Sequence, residues 1–223
     1  MIQISLQEAM VMYNGHRALG PVTLEAQAGE HIVLVGESGA GKSSLLGLIR
    51  EQVRENSAWL PQELGLVQTL SAYHNVYMGQ LHAYSWFRNL LNLIRPDPKQ
   101  VAEIQPLLRA LDIETCLWKP VGELSGGQKQ RVGVARSLFQ KAEILLADEP
   151  ISALDAKRAD QVMSILVGAY DTSIIALHDI DLALRYASRI IGIQSGQIVL
   201  DEPAKDLQKS DLMGLYQNLP AAS

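Results

Sequence analysis

Eight consecutive residues constrain this chain more than any others: Gly36-Glu37-Ser38-Gly39-Ala40-Gly41-Lys42-Ser43. They fit the spacing G-x-x-x-x-G-K-[ST]. His31 to Val35 before them is a short apolar run, suited to a strand buried on both faces. From Gly41 to Arg50 the pattern turns helical, with Leu45, Leu46 and Ile49 on one side. Strand, glycine-rich turn and helix in that order make a phosphate cradle. Backbone N–H groups of Gly36, Ser38, Gly39, Ala40 and Gly41 can point inward at phosphate oxygens, and the helix adds its positive end. Lys42 is expected to reach the β- and γ-phosphates of a nucleotide and the Ser43 hydroxyl to bind Mg²⁺, with Ser44 beside it in the cradle.

Size and composition limit what surrounds this loop. A chain of 223 residues suits one medium domain with subdomains, and 48% hydrophobic with 19% charged residues is a globular composition. A net charge of −5 argues against a nucleic-acid partner, which selects a basic face. The single cysteine, Cys116, permits no internal disulfide, and a reducing cytoplasm is expected. No apolar run approaches the ~20 residues that cross a bilayer, and Met1-Ile2-Gln3-Ile4-Ser5 does not read as a secretory signal. Any membrane part must come from a partner.

The fold class expected is α/β. Ile2, Ile4 and Leu6, and then Val22, Leu24 and Ala26, alternate with polar residues and read as half-buried antiparallel strands. Residues 69–120 carry apolar positions at helical spacing (Val101, Ile104, Leu107, Leu108, Leu111) and read as a helical insertion. Ile144–Ala147, Ser173–Leu177 and Arg189–Gln194 are apolar strand candidates separated by helical stretches near 156–169 and 179–187. That alternation implies a mostly parallel sheet. The expected organisation over 1–223 is a core from 1–68 and 121–203 that includes an N-terminal antiparallel part, a helical subdomain 69–120, and a short tail 204–223.

Two further segments carry chemistry. Ile144-Leu145-Leu146-Ala147 ends in Asp148-Glu149-Pro150, which exposes two carboxylates at the carboxyl edge of a buried strand. Asp148 suits a Mg²⁺ ion held through its waters, and Glu149 suits a base for an attacking water. Alone, such a strand end more often describes a solvated turn; beside the phosphate cradle upstream the balance reverses. Leu124-Ser125-Gly126-Gly127-Gln128 is a second anion-ready turn at a helix start. Two phosphate-seeking turns in one chain make sense if two copies, arranged antiparallel, each complete the other's site.

These segments together resemble the ABC ATPase family over roughly residues 2–203. The chain has its phosphate loop, its LSGGQ signature at 124–128 and its acidic strand end. Ser152-Ala153-Leu154-Asp155 matches the family's D-loop, and His178 its switch histidine. Gln62 matches its Q-loop glutamine, and Tyr13 its adenine-stacking aromatic. The resemblance implies a P-loop NTPase core that hydrolyses ATP with Mg²⁺. It implies that Tyr13 stacks on adenine, and that Gln62 touches Mg²⁺ or the water and senses the membrane partner. Ser125 and Gly127, with Gln128, would cap the γ-phosphate held by the other protomer. His178 would contact that phosphate, and Asp155 would couple the two sites. It further implies a homodimer, or a pair with another ATPase subunit, on the inner face of the cell membrane, bound to permease subunits and served by a periplasmic binding protein. Tyr13 could instead be an ordinary strand-end aromatic, and His178 could merely cap a helix begun at Asp179.

Two stretches depart from the family pattern. Only 20 residues separate Lys42 from Gln62, and Arg50-Glu51-Gln52-Val53-Arg54-Glu55-Asn56 reads there as a short polar link beside a trimmed antiparallel part. Ala83–Arg95 is apolar and aromatic, either packed inside the helical subdomain or serving as a dock for a permease helix. With Asn75-Val76-Tyr77-Met78-Gly79 and His178–Tyr186, it looks like the phosphonate-import branch of the family. An export or lipoprotein-release system, or a non-transport ABC ATPase, is the alternative. His16, His31, His74 and His82 do not group at metal-ligand spacing.

Overall fold

The computed structural model describes residues 2–13 and 15–216, so part of the expected tail, residues 217–223, lies outside the described residues. In chain order the elements are β1 (Ile2–Tyr13), β2 (His16–Gln27), β3 (His31–Val35), α1 (Lys42–Val53), β4 (Ser57–Leu60), α2 (Ala72–Tyr77), α3 (Trp86–Ile94), α4 (Pro98–Ala110) and α5 (Gly126–Phe139). They continue with β5 (Ile144–Asp148), α6 (Ala156–Ala169), β6 (Thr172–Ala176), α7 (Ile180–Tyr186), β7 (Arg189–Gln194), β8 (Gln197–Pro203) and α8 (Lys209–Met213). Two compact units emerge.

The first unit comprises Met1–Trp59, Glu143–Pro150 and Val167–Ser223. Its six-stranded sheet runs in the order β4-β5-β6-β3-β7-β8. Strands β5, β6, β3 and β7 are mutually parallel, and β8 returns antiparallel beside β7. Every residue of β5 and β6 is buried, which is why those strands read as continuous apolar runs rather than alternating ones. β1 and β2 form a separate two-stranded antiparallel hairpin. There alternation does appear: Val22, Leu24 and Ala26 are buried between exposed neighbours. Those residues join Leu45, Leu46 and Ile49 of α1 and the sheet residues Ile32, Leu34, Leu146 and Ile174 in one core. The antiparallel part is thus a single hairpin.

The polar stretch 50–56 is not a link. Arg50 to Val53 complete the last turn of α1, and only residues 54–56 turn the chain into β4. Arg, Glu and Gln are good helix formers, so a polar surface turn of helix carries no apolar signal.

The second unit comprises Leu60–Ala142 and Ile151–Leu166. It extends beyond 69–120 because α5 packs against both α2 and α4. Tyr73, Val76, Ile104, Leu108, Val132 and Phe139 are buried in it. Helix α4 starts where Asp97 accepts the Lys99 N–H at 2.9 Å and Pro98 takes the first position. Cys116 is buried and unbridged. Among the described residues no helix is long and apolar enough to cross a membrane.

Candidate functional site

Three adjacent strands of the first unit, β5, β6 and β3, point the same way, so the segments that leave their carboxyl ends leave from one edge of the sheet. β3 delivers Gly36, β5 delivers Asp148 and Glu149, and β6 delivers His178. This is where open α/β sheets bind ligands.

The phosphate loop depends on its glycines. Gly36, Gly39 and Gly41 have φ of 147°, 79° and 114°, outside what side chains tolerate. At Gly36 a Cβ would sit 2.2 Å from the Ile193 carbonyl oxygen. Ser38 and Gly39 are exposed at the loop tip, while Ala40, Gly41 and Lys42 are buried. Lys42 folds back, and its Nζ donates to the carbonyls of Gly36 at 2.7 Å and Glu37 at 2.9 Å. Burial pushes its ammonium below the usual lysine range, partly offset by the negative charges of Glu149 and Asp148. A buried cation therefore sits at the mouth of the loop with two carboxylates near enough to feel it. Ser43 and Ser44 occupy the first turn of α1, with Ser43 exposed.

Glu149 is held in an unusual backbone conformation. Its φ is +51°, in the left-handed region that a non-glycine residue before a proline rarely occupies. The N–H of Glu149 donates to the Ala176 carbonyl of β6 at 3.1 Å and helps fix that conformation. Local strain of this kind concentrates at functional sites. Its effect here is to turn the carboxylate toward His178, whose Nε2 donates to Glu149 Oε1 at 2.6 Å. His178 does not cap α7. That role falls to Asp179, which accepts the Leu182 N–H at 3.0 Å. Asp148 is buried at the end of β5. Tyr13 ends β1 and is 61% exposed rather than packed.

The second unit holds the remaining expected residues. Gln62 lies two residues beyond β4 and is exposed. Ser125 is the N-cap of α5 in a reciprocal capping box. Its Oγ accepts the Gln128 N–H at 3.3 Å, and Gln128 Oε1 accepts the Ser125 N–H at 2.9 Å. The exposed Ser125 hydroxyl keeps its own proton for donation outward. Gln128 is drawn into the cap. Asp155 accepts the Arg158 N–H at 3.0 Å and pairs with its guanidinium, and these contacts hold it below the usual carboxylate range.

Sequence reasoning missed Gln130. This buried side chain accepts the Ala153 N–H at 3.1 Å, and a Cβ on Gly127 would lie 3.0 Å from the Ala153 carbonyl oxygen. The signature turn and the 152–155 loop are thus locked together within the unit. A polar residue at a buried position of α5 is the signal that could have found it.

Residues 19–152 match the family model described as ABC transporter. The chain belongs to the ABC transporter family. It is an ATP-binding, ATP-hydrolysing member. The phosphonates import ATP-binding protein PhnC of Thiobacillus denitrificans is 34% identical over 244 residues, spanning 97% of this chain and 93% of that one. A second such protein, from Trichodesmium erythraeum, is 37% identical over 249 residues, spanning 97% and 96%. A solved ATP-binding cassette, a dimer in a post-hydrolysis state bound to ADP and Pi, superposes with a TM-score of 0.76 at 26% identity. It covers 91% of this chain and 99% of its own.

Replacing Lys42 by Ala removes the one cation buried in the loop and is expected to weaken ATP binding at least about tenfold, the scale of a hydrogen bond to a charged group. Titration with a fluorescent nucleotide checks this, and undiminished affinity would take Lys42 out of the cradle.

Proposed function

We propose that this chain is the energising subunit of a phosphonate-type importer, in which two copies bind ATP head to tail beneath a separate membrane permease. The observation that carries the catalytic part is the Glu149–His178 pair at the carboxyl edge shared with the phosphate loop. Lys42 leaves its two loop carbonyls for the β- and γ-phosphates, an exchange of weak acceptors for charged ones. Glu149 accepts a proton from the attacking water. His178 steadies that carboxylate and contacts the γ-phosphate, and the products are ADP and phosphate.

The donor set fits Mg²⁺. Among the described residues no cluster of three or more His, Cys, Asp or Glu side chains could cage a metal. A magnesium ion needs none, because it takes few protein ligands and completes its shell with water and phosphate. Ser43 and Asp148 would hold it, and it would neutralise charge on the transferring phosphate. Tyr13 is exposed and would stack on adenine, a contact on the scale of ~1–3 kcal/mol.

The dimer follows from Ser125 and Gly127. An exposed helix N-terminus with a hydroxyl proton to donate suits a phosphate, and in the proposed pair that phosphate belongs to the nucleotide on the opposite cradle. Asp155 lies on the loop packed against this turn and would carry the state of one site to the other. Likeness to a cassette captured as a dimer supports the arrangement. ATP drives closure only because it favours the closed pair over the open one. The names of the relatives support import and a phosphonate cargo; a periplasmic binding protein upstream of the permease and an ATPase at the cytoplasmic face belong to the same proposal.

Helix α3 is the proposed permease dock, and its packing is inverted. Asn89 and Asn92 face inward: Asn92 Oδ1 accepts the Tyr73 hydroxyl at 2.8 Å and Asn89 Oδ1 that of Tyr77 at 2.9 Å. Trp86, Phe87, Leu90, Leu91, Leu93 and Ile94 face outward, with Trp86 76% and Ile94 79% exposed. A helix that turns its amides inward, with Asn92 buried, and displays six large apolar side chains is shaped for an apolar partner.

Glu149→Gln keeps the size and polarity of the side chain but cannot take a proton. It is expected to bind MgATP, to lose hydrolysis by at least about a hundredfold, and to elute as a dimer from a sizing column only with MgATP. Rapid turnover by this variant would remove Glu149 as base. Changing Trp86 and Ile94 to Ser is expected to abolish co-purification with the permease while soluble ATP binding stays intact. Retained co-purification would put the dock elsewhere.

A further inference from the structure

The last described residues form a turn, Gly214–Tyr216, that packs back onto the first unit. Leu212 of α8 is fully buried and Leu215 nearly so. Leu215 lies over Gly192 of β7, where a Cβ would come within 2.8 Å of its Cδ1, so bare backbone accepts the side chain. Gly192 is the register partner of Val35, the residue before the phosphate loop. Leu215 therefore delivers its neighbour to the root of that loop. The Tyr216 hydroxyl oxygen accepts the Gly36 N–H at 3.2 Å. A second tie secures the same segment: Lys209 Nζ pairs with Asp181 at 2.6 Å on α7, the helix that follows His178.

Gly36 is held from both sides of its own backbone. Its N–H, expected from the sequence to face phosphate, goes instead to Tyr216, and its carbonyl receives Lys42 Nζ. It has no side chain to anchor it and no room for one beside the Ile193 carbonyl. Its conformation is therefore set by backbone contacts, one of which comes from a residue 180 positions away.

We propose that Tyr216 is a positioning residue for the phosphate loop, and that the segment 208–216 is a strap whose docking and nucleotide binding favour each other. With the strap docked, the Gly36 peptide is oriented before phosphate arrives, so less ordering is required at binding. By linkage, nucleotide stabilises the docked strap by the same factor. The inference rests on Gly36–Ser43 being the nucleotide cradle.

The decisive variant is Tyr216→Phe in the full chain, which deletes the hydroxyl and keeps the ring in its packing. MgATP affinity and KM are expected to worsen about 2- to 10-fold, the range of one hydrogen bond. The value of kcat should stay within about twofold, since the contact is not specific to the transition state. The nucleotide-free melting midpoint should hold, and the Gly36 amide, followed by NMR hydrogen exchange, should exchange faster. Unchanged affinity overturns the proposal, and so does a loss of affinity that appears only with an equal loss of melting midpoint. Lys42→Ala run alongside separates the two claims. If it loses affinity and Tyr216→Phe does not, the strap alone fails; if neither loses affinity, the cradle reading fails and takes the strap with it.

Discussion

A triphosphate carries concentrated negative charge, and a folded chain can meet it only by aiming several donors at one small volume. Parallel strands solve that problem because neighbouring strands end at the same edge. Here β3, β5 and β6 lie side by side, and the three segments that follow them carry the phosphate loop, Asp148 with Glu149, and His178. None of these groups is near another in sequence. Sheet order alone makes Glu149 and His178 hydrogen-bonding partners across 29 residues and lets Lys42 feel both acids. The fully buried strands β5 and β6 make that edge rigid, and a rigid edge can hold Glu149 at a backbone angle it would otherwise leave.

Much of this was legible in the chain because the chemistry is tied to spacing. Gly36, Gly41 and Lys42 stand at separations that only a loop wrapped on phosphate requires. The apolar runs ending at Gly36 and Asp148 announce buried parallel strands. What stayed hidden has physical reasons. The polar residues 50–56 read as a link although 50–53 are helical, because a solvated helical turn shows no apolar period. For α3, periodicity reveals an amphipathic helix but not which face turns inward; Asn89 and Asn92, three apart, were the clue that the amides do. Gln130 and Tyr216 act through contacts to residues distant in sequence, and such contacts leave no repeating pattern.

The two units divide the chemistry. The first holds the charged groups proposed to bind and cut the phosphate chain, and the second presents a capped helix N-terminus with an exposed serine and an apolar helix face. Gln130 and Gly127 fix the signature turn to the 152–155 loop, so a phosphate bound at Ser125 would be felt at Asp155 without a long relay. In the proposed pair each nucleotide touches the first unit of one copy and the second unit of the other. Hydrolysis then removes a bond between subunits as well as one within ATP.

Subunit mixing tests that shared site most directly. In a Glu149→Gln background, one population carries Lys42→Ala and a donor dye, and the other carries Ser125→Arg and an acceptor dye. Each population alone lacks any complete site, but a mixed pair retains one: an intact cradle facing an intact signature turn. Energy transfer on mixing that requires MgATP, with each variant alone monomeric on a sizing column with MgATP, is the predicted result. A mixture as silent as its separate components, or pairing by either variant alone, would contradict the account.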